Sequence, residues 1–170
     1  LFILAFSGIA FIIYLRKPSL QWDIMASQSA HVGLLFAVMG FVTGAIWANY
    51  TWGAPWSNDI KQLCTVIALL IYFAYFVLRN SFTDIDKRAR VSAVYNIFAF
   101  ALLIPLLFII LRLSDSLHPG GSGNPAFSKY DLDSTLRMFF YPAVIGWICL
   151  GFWILSIRIR LRFIQQKQEL

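Results

Sequence analysis

Apolar residues along this chain fall into five long runs that polar segments separate. Spanning about 30 Å of hydrocarbon takes roughly 20 mostly apolar residues as a helix, and none of the runs alternates apolar and polar positions as a barrel strand would. The pattern predicts an all-α, polytopic integral membrane helix bundle with five transmembrane helices, in a single membrane domain covering 1–170. The predicted helices cover about 1–15, 31–50, 61–79, 91–112 and 137–158.

The composition excludes an ordinary soluble domain. Of the 170 residues, 59% are hydrophobic and 13% are charged, and the mean hydropathy is +0.71. A soluble domain of this length has too little interior for so much apolar side chain. The net charge of +6 does not indicate a nucleic-acid partner, because basic residues of a membrane protein mostly lie in its cytoplasmic loops. The two cysteines form no CxxC or CxxCH motif, which argues against a thioredoxin-like protein or a c-type cytochrome.

Basic residues divide unequally between the two ends of the predicted helices. When the loops are assigned to alternating sides, one side holds Arg16, Lys17, Arg79, Lys87, Arg88, Arg90, Arg158, Arg160, Arg162 and Lys167, and the other holds Lys61, Arg112, Lys129 and Arg137. The positive-inside rule predicts that the first side, with the C-terminus, is cytoplasmic. The loops 51–60 and 113–136 are then external. Leu1 would start at the outer face, which predicts a further helix before it.

The first external loop holds more aromatic and turn-forming residues than a short connection needs. Trp52 and Trp56 flank a Gly-Ala-Pro turn that begins at Gly53, and Asn58 and Asp59 precede the third predicted helix as candidate caps. Trp is enriched at membrane interfaces in general, so interfacial anchoring is the alternative. The clustering favours a rigid aromatic surface on which a flat apolar ligand such as haem could stack.

His118 follows the fourth apolar run and precedes a Pro-Gly-Gly sequence in the second external loop. Although a solvated loop histidine is the alternative, neutral imidazole is a standard axial ligand of haem iron. We therefore predict His118 as an iron ligand, facing the aromatic loop. His31, at the opposite face, is interpreted as an interfacial polar residue. The two haem propionates favour cationic partners, and Arg112 and Arg137 are the candidates because they lie at the helix ends nearest His118.

The order of these features resembles the CcmC/CcsA family of haem-handling proteins in cytochrome c biogenesis. That order is an aromatic-rich external loop, a helix, a cytoplasmic basic loop, a helix, and then Leu117-His118 before a Gly-containing loop. The resemblance extends from the second predicted helix through the fifth. His118 matches the family's downstream external haem-ligand histidine. The family's other external histidine lies on the helix before the one that begins this sequence, and it has no counterpart here.

The first external loop resembles the tryptophan-rich WWD signature of that family, roughly W-G-x-x-W-x-W-D. Trp52, Gly53, Trp56 and Asp59 match the pattern, and Asn58 stands where the last Trp is expected. The resemblance therefore implies that the matching residues contact haem, over a smaller stacking surface than the full signature would give.

The resemblance implies a multi-pass protein of the bacterial inner membrane, with six helices at full length. Such a protein would hold haem b at its external, periplasmic face and deliver it to a periplasmic haem chaperone (CcmE-like) during cytochrome c maturation. Its other partners would be membrane lipid and the subunits of an ABC-type complex (CcmA- and CcmB-like). It is not expected to be an enzyme.

Two other classes of membrane protein compete with haem handling. A small membrane transporter or channel subunit unrelated to haem is the alternative, although polar groups are few within the apolar runs. A dihaem membrane cytochrome b needs paired histidines within its helices, whereas this chain has two histidines in all, predicted on opposite faces.

Overall fold

The computed structural model describes residues 1–117 and 133–168, and every regular element in these ranges is helical. Four stretches are long and apolar enough to cross a membrane, and a shorter apolar helix precedes them. The all-α membrane bundle is therefore confirmed. The elements are α1 (Phe2–Arg16), α2 (Leu20–Trp52), α3 (Ile60–Asn80), α4 (Ile85–Ile104), a π-helical turn (Pro105–Ile109), α5 (Ile110–Leu113) and α6 (Ser134–Gln168).

Capping side chains determine where three of the helices begin. Ser19 Oγ accepts the backbone N–H of Trp22 in front of α2, and the carboxylates of Asp59 and Asp84 do the same in front of α3 and α4. Each cap satisfies a backbone N–H that has no partner inside its helix. The capping role predicted for Asp59 is confirmed.

Helix α2 begins at Leu20, well before the predicted start at residue 31. Hydropathy marks the apolar part of a helix, whereas the cap marks its start. The 33 residues of α2 extend roughly 50 Å at 1.5 Å per residue, more than the about 30 Å of a hydrocarbon core. Its polar first turns are still part of the bundle, since Asp23 and Ser27 are buried.

Small residues bring α1 close to α2 and α4, the two helices against which it mainly packs. Ala10, Ala26 and Ala93 lie in one buried cluster, one from each helix. At Gly33 of α2, an added Cβ would overlap the side chain of Leu4 in α1. Helices in membranes commonly use small residues for such close approach, and an alanine at position 33 would force the Leu4 side chain to shift.

A buried ion pair joins α3 to α2 at the end of the bundle where most basic residues lie. Arg79 donates to both carboxylate oxygens of Asp23, at 2.9 and 2.6 Å. The two side chains are only 11% and 5% exposed. Arg79 is therefore part of the packed interior, although its sequence position suggested only a cytoplasmic loop cation.

The fourth apolar run widens into a π-helical turn at Pro105. Proline offers no N–H to the turn before it, and the N–H of Ile110 reaches back five residues to the Pro105 carbonyl. α6 shows no such change at its own proline, and it continues through Pro142 as an α-helix. It starts at Ser134 and runs well past the predicted end at 158. Like α2, it is longer than its apolar core.

Helix α6 packs mainly on α2, and most of its large apolar side chains are exposed. The Phe36 and Trp147 rings meet edge to face at 6.0 Å, and Gly151 lies against Ile3 of α1. An exposed apolar helix face is expected where hydrocarbon replaces water as the surrounding medium.

Candidate functional site

Trp52 ends α2, and Gly53 turns the chain out of that helix. Gly53 has a left-handed φ of 77°, and its N–H donates to the Asn49 carbonyl at 3.0 Å. Glycine adopts this helix-ending conformation without steric cost. Trp47, one turn earlier, packs edge to face against Trp52 with ring centroids 5.1 Å apart. The end of α2 therefore presents a joined aromatic surface.

Gln62 in the first turn of α3 holds the preceding loop in place. Its side-chain oxygen accepts from the backbone N–H and the hydroxyl of Ser57, at 3.0 and 3.2 Å. Its amide nitrogen donates to the Pro55 carbonyl at 3.2 Å. The Asp59-x-x-Gln62 spacing is that of a capping box, although here the glutamine reaches beyond the cap residue. That spacing is the sequence signal that could have identified Gln62 as a residue that holds the loop, a role that was not predicted.

Asp59 connects this loop to a distant part of the chain. One carboxylate oxygen caps α3 by accepting the Lys61 N–H at 2.9 Å. The other accepts the Ser116 hydroxyl at 2.8 Å and the Leu117 backbone N–H at 2.7 Å. Asp59 is only 6% exposed, so these bonds form largely out of solvent, where bonds to a charged acceptor are strong. The aromatic loop is thereby fixed to the segment that leads into the second loop.

Asn58 orients the tryptophan next to it. The indole N–H of Trp56 donates to the Asn58 side-chain oxygen at 2.6 Å. Asn58 itself has a φ of 55°, a left-handed conformation that asparagine tolerates better than most residues. Asn58 therefore has a structural role at the position where the WWD signature carries its last tryptophan.

An apolar cavity of about 410 Å³ lies beside the aromatic surface, between α1, α2, α3 and the end of α4. This volume is within the range usual for ligand sites. Trp47 and Trp52 line it together with Phe41 and Tyr72, and Lys61 contributes a cation. The described lining therefore combines apolar contact, aromatic rings and an ammonium group.

Two glycines on α2 leave part of this cavity open. Gly40 and Gly44 are four residues apart, so they share one helix face, and both line the cavity. A Cβ added at either position would meet no atom within 4 Å. Unlike Gly33, these glycines do not lie in close contact with a neighbouring helix. A side chain added at either position would begin in open space beside the cavity.

The predicted aromatic-loop residues and His118 divide into three groups. Trp52 lines the cavity, whereas Gly53, Trp56 and Asp59 form the adjoining loop. His118 lies outside the described residues. The chain is described as far as the preceding residue, which is held by Asp59.

The two predicted propionate partners are not among the described residues that line the cavity. Arg112 is exposed in α5, and Arg137 lies in the first turn of α6. Lys61 is the cation that the described lining contains. It is one of four basic residues predicted to be external. Arg112 and Arg137 were predicted as propionate partners instead, because they lie nearer to His118. The place of Lys61 two residues after Asp59 at the start of α3 brings it to the cavity.

His31 lies away from this site, as the charge pattern predicted. Its Nδ1 is 2.8 Å from the Ser27 carbonyl, and its ring packs on Phe76 with centroids 4.2 Å apart. A neutral His31 therefore carries its proton on Nδ1 to make this bond. Within residues 1–117 and 133–168, no cluster of three or more His, Cys, Asp or Glu side chains could hold a metal ion.

Comparison with known proteins adds to this geometry. The whole chain, residues 1–170, matches the family CcmC, described as heme exporter protein C. The heme exporter protein C of Haemophilus influenzae is 25% identical over 159 residues, which cover 89% of this chain and 63% of that protein. The cytochrome c biogenesis protein CcsA of Fagopyrum esculentum subsp. ancestrale is 31% identical over 102 residues, covering 60% and 31%.

A second CcsA, from Synechococcus sp. (strain CC9605), is 36% identical over 81 residues, 48% of this chain and 27% of that protein. The chain thus spans less than two thirds of the length of each of these relatives. The family match nevertheless includes all of the residues discussed above. This chain belongs to the CcmC family, the heme exporter protein C family.

Proposed function

We propose that the protein holds haem at the end of the bundle formed by the Trp52–Asp59 loop and passes it on during cytochrome c maturation. The observation that carries this proposal is the pair of hydrogen bonds that the Asp59 carboxylate accepts from the Ser116 hydroxyl and the Leu117 backbone N–H. They bring the aromatic loop to the residue directly before His118. An aromatic surface and a histidine are the two components that a haem site needs.

The apolar cavity supports haem as the cargo. Haem offers a broad apolar face, and stacking it on Trp52 beside the cavity would remove that face from water. The open positions at Gly40 and Gly44 leave room for such a face. His118 would then supply the axial nitrogen to the iron, and the haem would be held without a covalent bond, as haem b.

The haem propionates would lie at the wet edge of the site, where cations can pair with them. Lys61 is placed for this role because it lines the cavity. Arg112 and Arg137 remain proposed partners on the strength of their sequence positions near His118.

The site would face the periplasm, with the C-terminus in the cytoplasm of a bacterial cell. The support is the concentration of Arg and Lys at the opposite end of the bundle. Alkaline phosphatase fused after Gln168 should be inactive, and the same enzyme inserted within the Trp52–Asp59 loop should be active. The reverse pattern would overturn the orientation.

Haem binding can be tested on the full-length protein purified in detergent. We expect a Soret band that falls by about tenfold in His118→Ala, and a pyridine haemochrome spectrum typical of haem b. The matched control is His31→Ala, which removes the imidazole at the other end of the bundle. A Soret band that stays unchanged in His118→Ala would exclude that residue as the ligand.

Delivery would require a periplasmic haem chaperone (CcmE-like) and an ABC-type complex (CcmA- and CcmB-like). The exposed Trp56 side chain, 39% accessible, could contribute to such a contact. Chaperone co-purification should depend on bound haem and should be lost with His118→Ala. Equal co-purification with haem-free protein would contradict haem-dependent handover.

A further inference from the structure

A second pocket, of about 460 Å³, lies at the opposite end of the bundle from the Trp52–Asp59 loop. Its walls come from the first half of α2, the end of α3, the start of α4 and the second half of α6. Four arginines line it, and no carboxylate does within the described part of the chain. They are Arg79, Arg88, Arg158 and Arg162.

Only one of these arginines has its charge balanced by a bonded carboxylate among the described residues. Arg79 is paired with Asp23. Arg158 donates to the neutral side chain of Gln28 at 3.0 Å, and Arg162 to that of Gln165 at 3.3 Å. Amide oxygens accept hydrogen bonds but do not offset charge. The pocket therefore has a strongly positive lining.

Arg88 provides a second and independent observation. Its Nε is buried and has no hydrogen-bond partner among the described residues. A buried donor of a charged group that lacks an acceptor is costly, and such a group often indicates a missing ion or ligand. A ligand with several anionic oxygens would satisfy Arg88 and balance the neighbouring guanidinium groups together, because guanidinium binds phosphate in bidentate geometry.

The surroundings of the pocket favour a ligand that is partly apolar. Leu161 of α6 lines it, and Ile157 and Trp153, one and two turns back toward the apolar part of α6, share the same helix face and are exposed. An apolar strip thus leads from the arginines along a helix that itself spans the membrane by length and composition. Basic pockets between membrane helices are suited to lipid headgroups.

We infer that this pocket binds the phosphate group of an anionic phospholipid, whose acyl chains lie along the Trp153, Ile157 and Leu161 face of α6. The lipid would join α6 to the ends of α3 and α4. This matters because α6 packs mainly on α2. The inference does not depend on the haem proposal.

The test compares two double variants that remove the same charge. Arg88→Gln with Arg162→Gln removes two lining arginines, whereas Arg90→Gln with Arg160→Gln removes exposed arginines on the same two helices that do not line this pocket. Full-length protein in detergent is mixed with phosphatidylglycerol or phosphatidylcholine, and bound lipid is measured by native mass spectrometry. Far-UV circular dichroism in detergent serves as an independent check that the helix bundle is intact.

We expect wild type and the control pair to retain phosphatidylglycerol in preference to phosphatidylcholine. The lining pair should retain roughly ten- to thirtyfold less, at about 1 kcal/mol for each arginine, with its circular dichroism unchanged. Equal loss in both pairs would show diffuse charge attraction and overturn the site. So would equal retention of both lipids, or inorganic phosphate that binds while phosphatidylglycerol does not.

Discussion

The carboxylate of Asp59 accepts the backbone N–H of Leu117 at 2.7 Å, although the two residues are 58 positions apart. The same side chain caps α3. A single buried group therefore sets the start of one helix and the position of a distant segment. In a site made from two loops, such a connection determines their relative placement more directly than either loop's own sequence.

Replacing Asp59 by Asn separates these two roles. Asn retains an oxygen for the Lys61 N–H, but its amide nitrogen cannot accept the N–H of Leu117. Losing bonds to a charged acceptor should cost about 1.5–3 kcal/mol, and we expect haem affinity to fall by about tenfold. The measurement is haem titration of full-length protein by Soret absorption.

Asp84→Asn is the matched control for that substitution. Asp84 caps α4 at the other end of the bundle through the Lys87 N–H, and its exposed position leaves it outside the proposed site. Haem affinity should be unchanged in this variant. Equal affinity losses in both variants would mean that helix capping alone, and not the bond to Leu117, explains the effect.

Filling the apolar cavity should prevent haem binding without unfolding the protein. Gly44→Leu adds a side chain where a Cβ meets no atom, so we expect an unchanged melting temperature and a haem content reduced several-fold. Gly146→Leu adds the same side chain to an open position on α6 and should leave haem content unchanged. Normal haem content in Gly44→Leu would place the haem outside this cavity.

The contact between α1 and α2 should be sensitive to a single methyl group. Gly33→Ala forces the side chain of the buried Leu4 to move, and overpacking of this kind costs about 1–3 kcal/mol. Gly40→Ala, on the same helix, meets no neighbour and should be neutral or slightly stabilising, because alanine favours the helix. Thermal unfolding in detergent measures both, and equal melting temperatures would contradict the close packing at position 33.

The buried pair of Asp23 and Arg79 should be needed for stability. Asp23→Asn leaves the guanidinium buried without its counter-charge, and breaking such a pair costs about 3–5 kcal/mol. Asp86→Asn makes the same chemical change at an exposed position of α4 and should shift the free energy of unfolding by about 0.5 kcal/mol or less. Chemical denaturation in mixed micelles distinguishes the two outcomes.

The parts of this structure that the sequence predicted depend on neighbouring residues. Apolar runs identified the long helices, and the Asp59 cap could be read from its position before one of those runs. The start of α2 was missed because its first turns are polar. Hydropathy identifies where a helix meets lipid, whereas Ser19 determines where the helix begins.

The features that the sequence did not predict join residues far apart. No local pattern indicates that Asp59 meets Leu117, that Asp23 meets Arg79, or that Lys61 lines the cavity. Each depends on how the helices pack and on which face each helix turns inward. A single sequence carries that information only through the sum of many packing contacts.

The π-helical turn at Pro105–Ile109 also changes how the helix after it is rotated about its own axis. Each residue of an α-helix advances about 100° around the axis, and a π turn accommodates one extra residue, so α5, which follows directly, is rotated by about that angle. A regular α-helix through this region would turn the α5 side chains toward a different side of the bundle. The π-helical turn at Pro105 therefore sets the rotation of α5 about the helix axis, and with it the direction in which the chain leaves the fourth span.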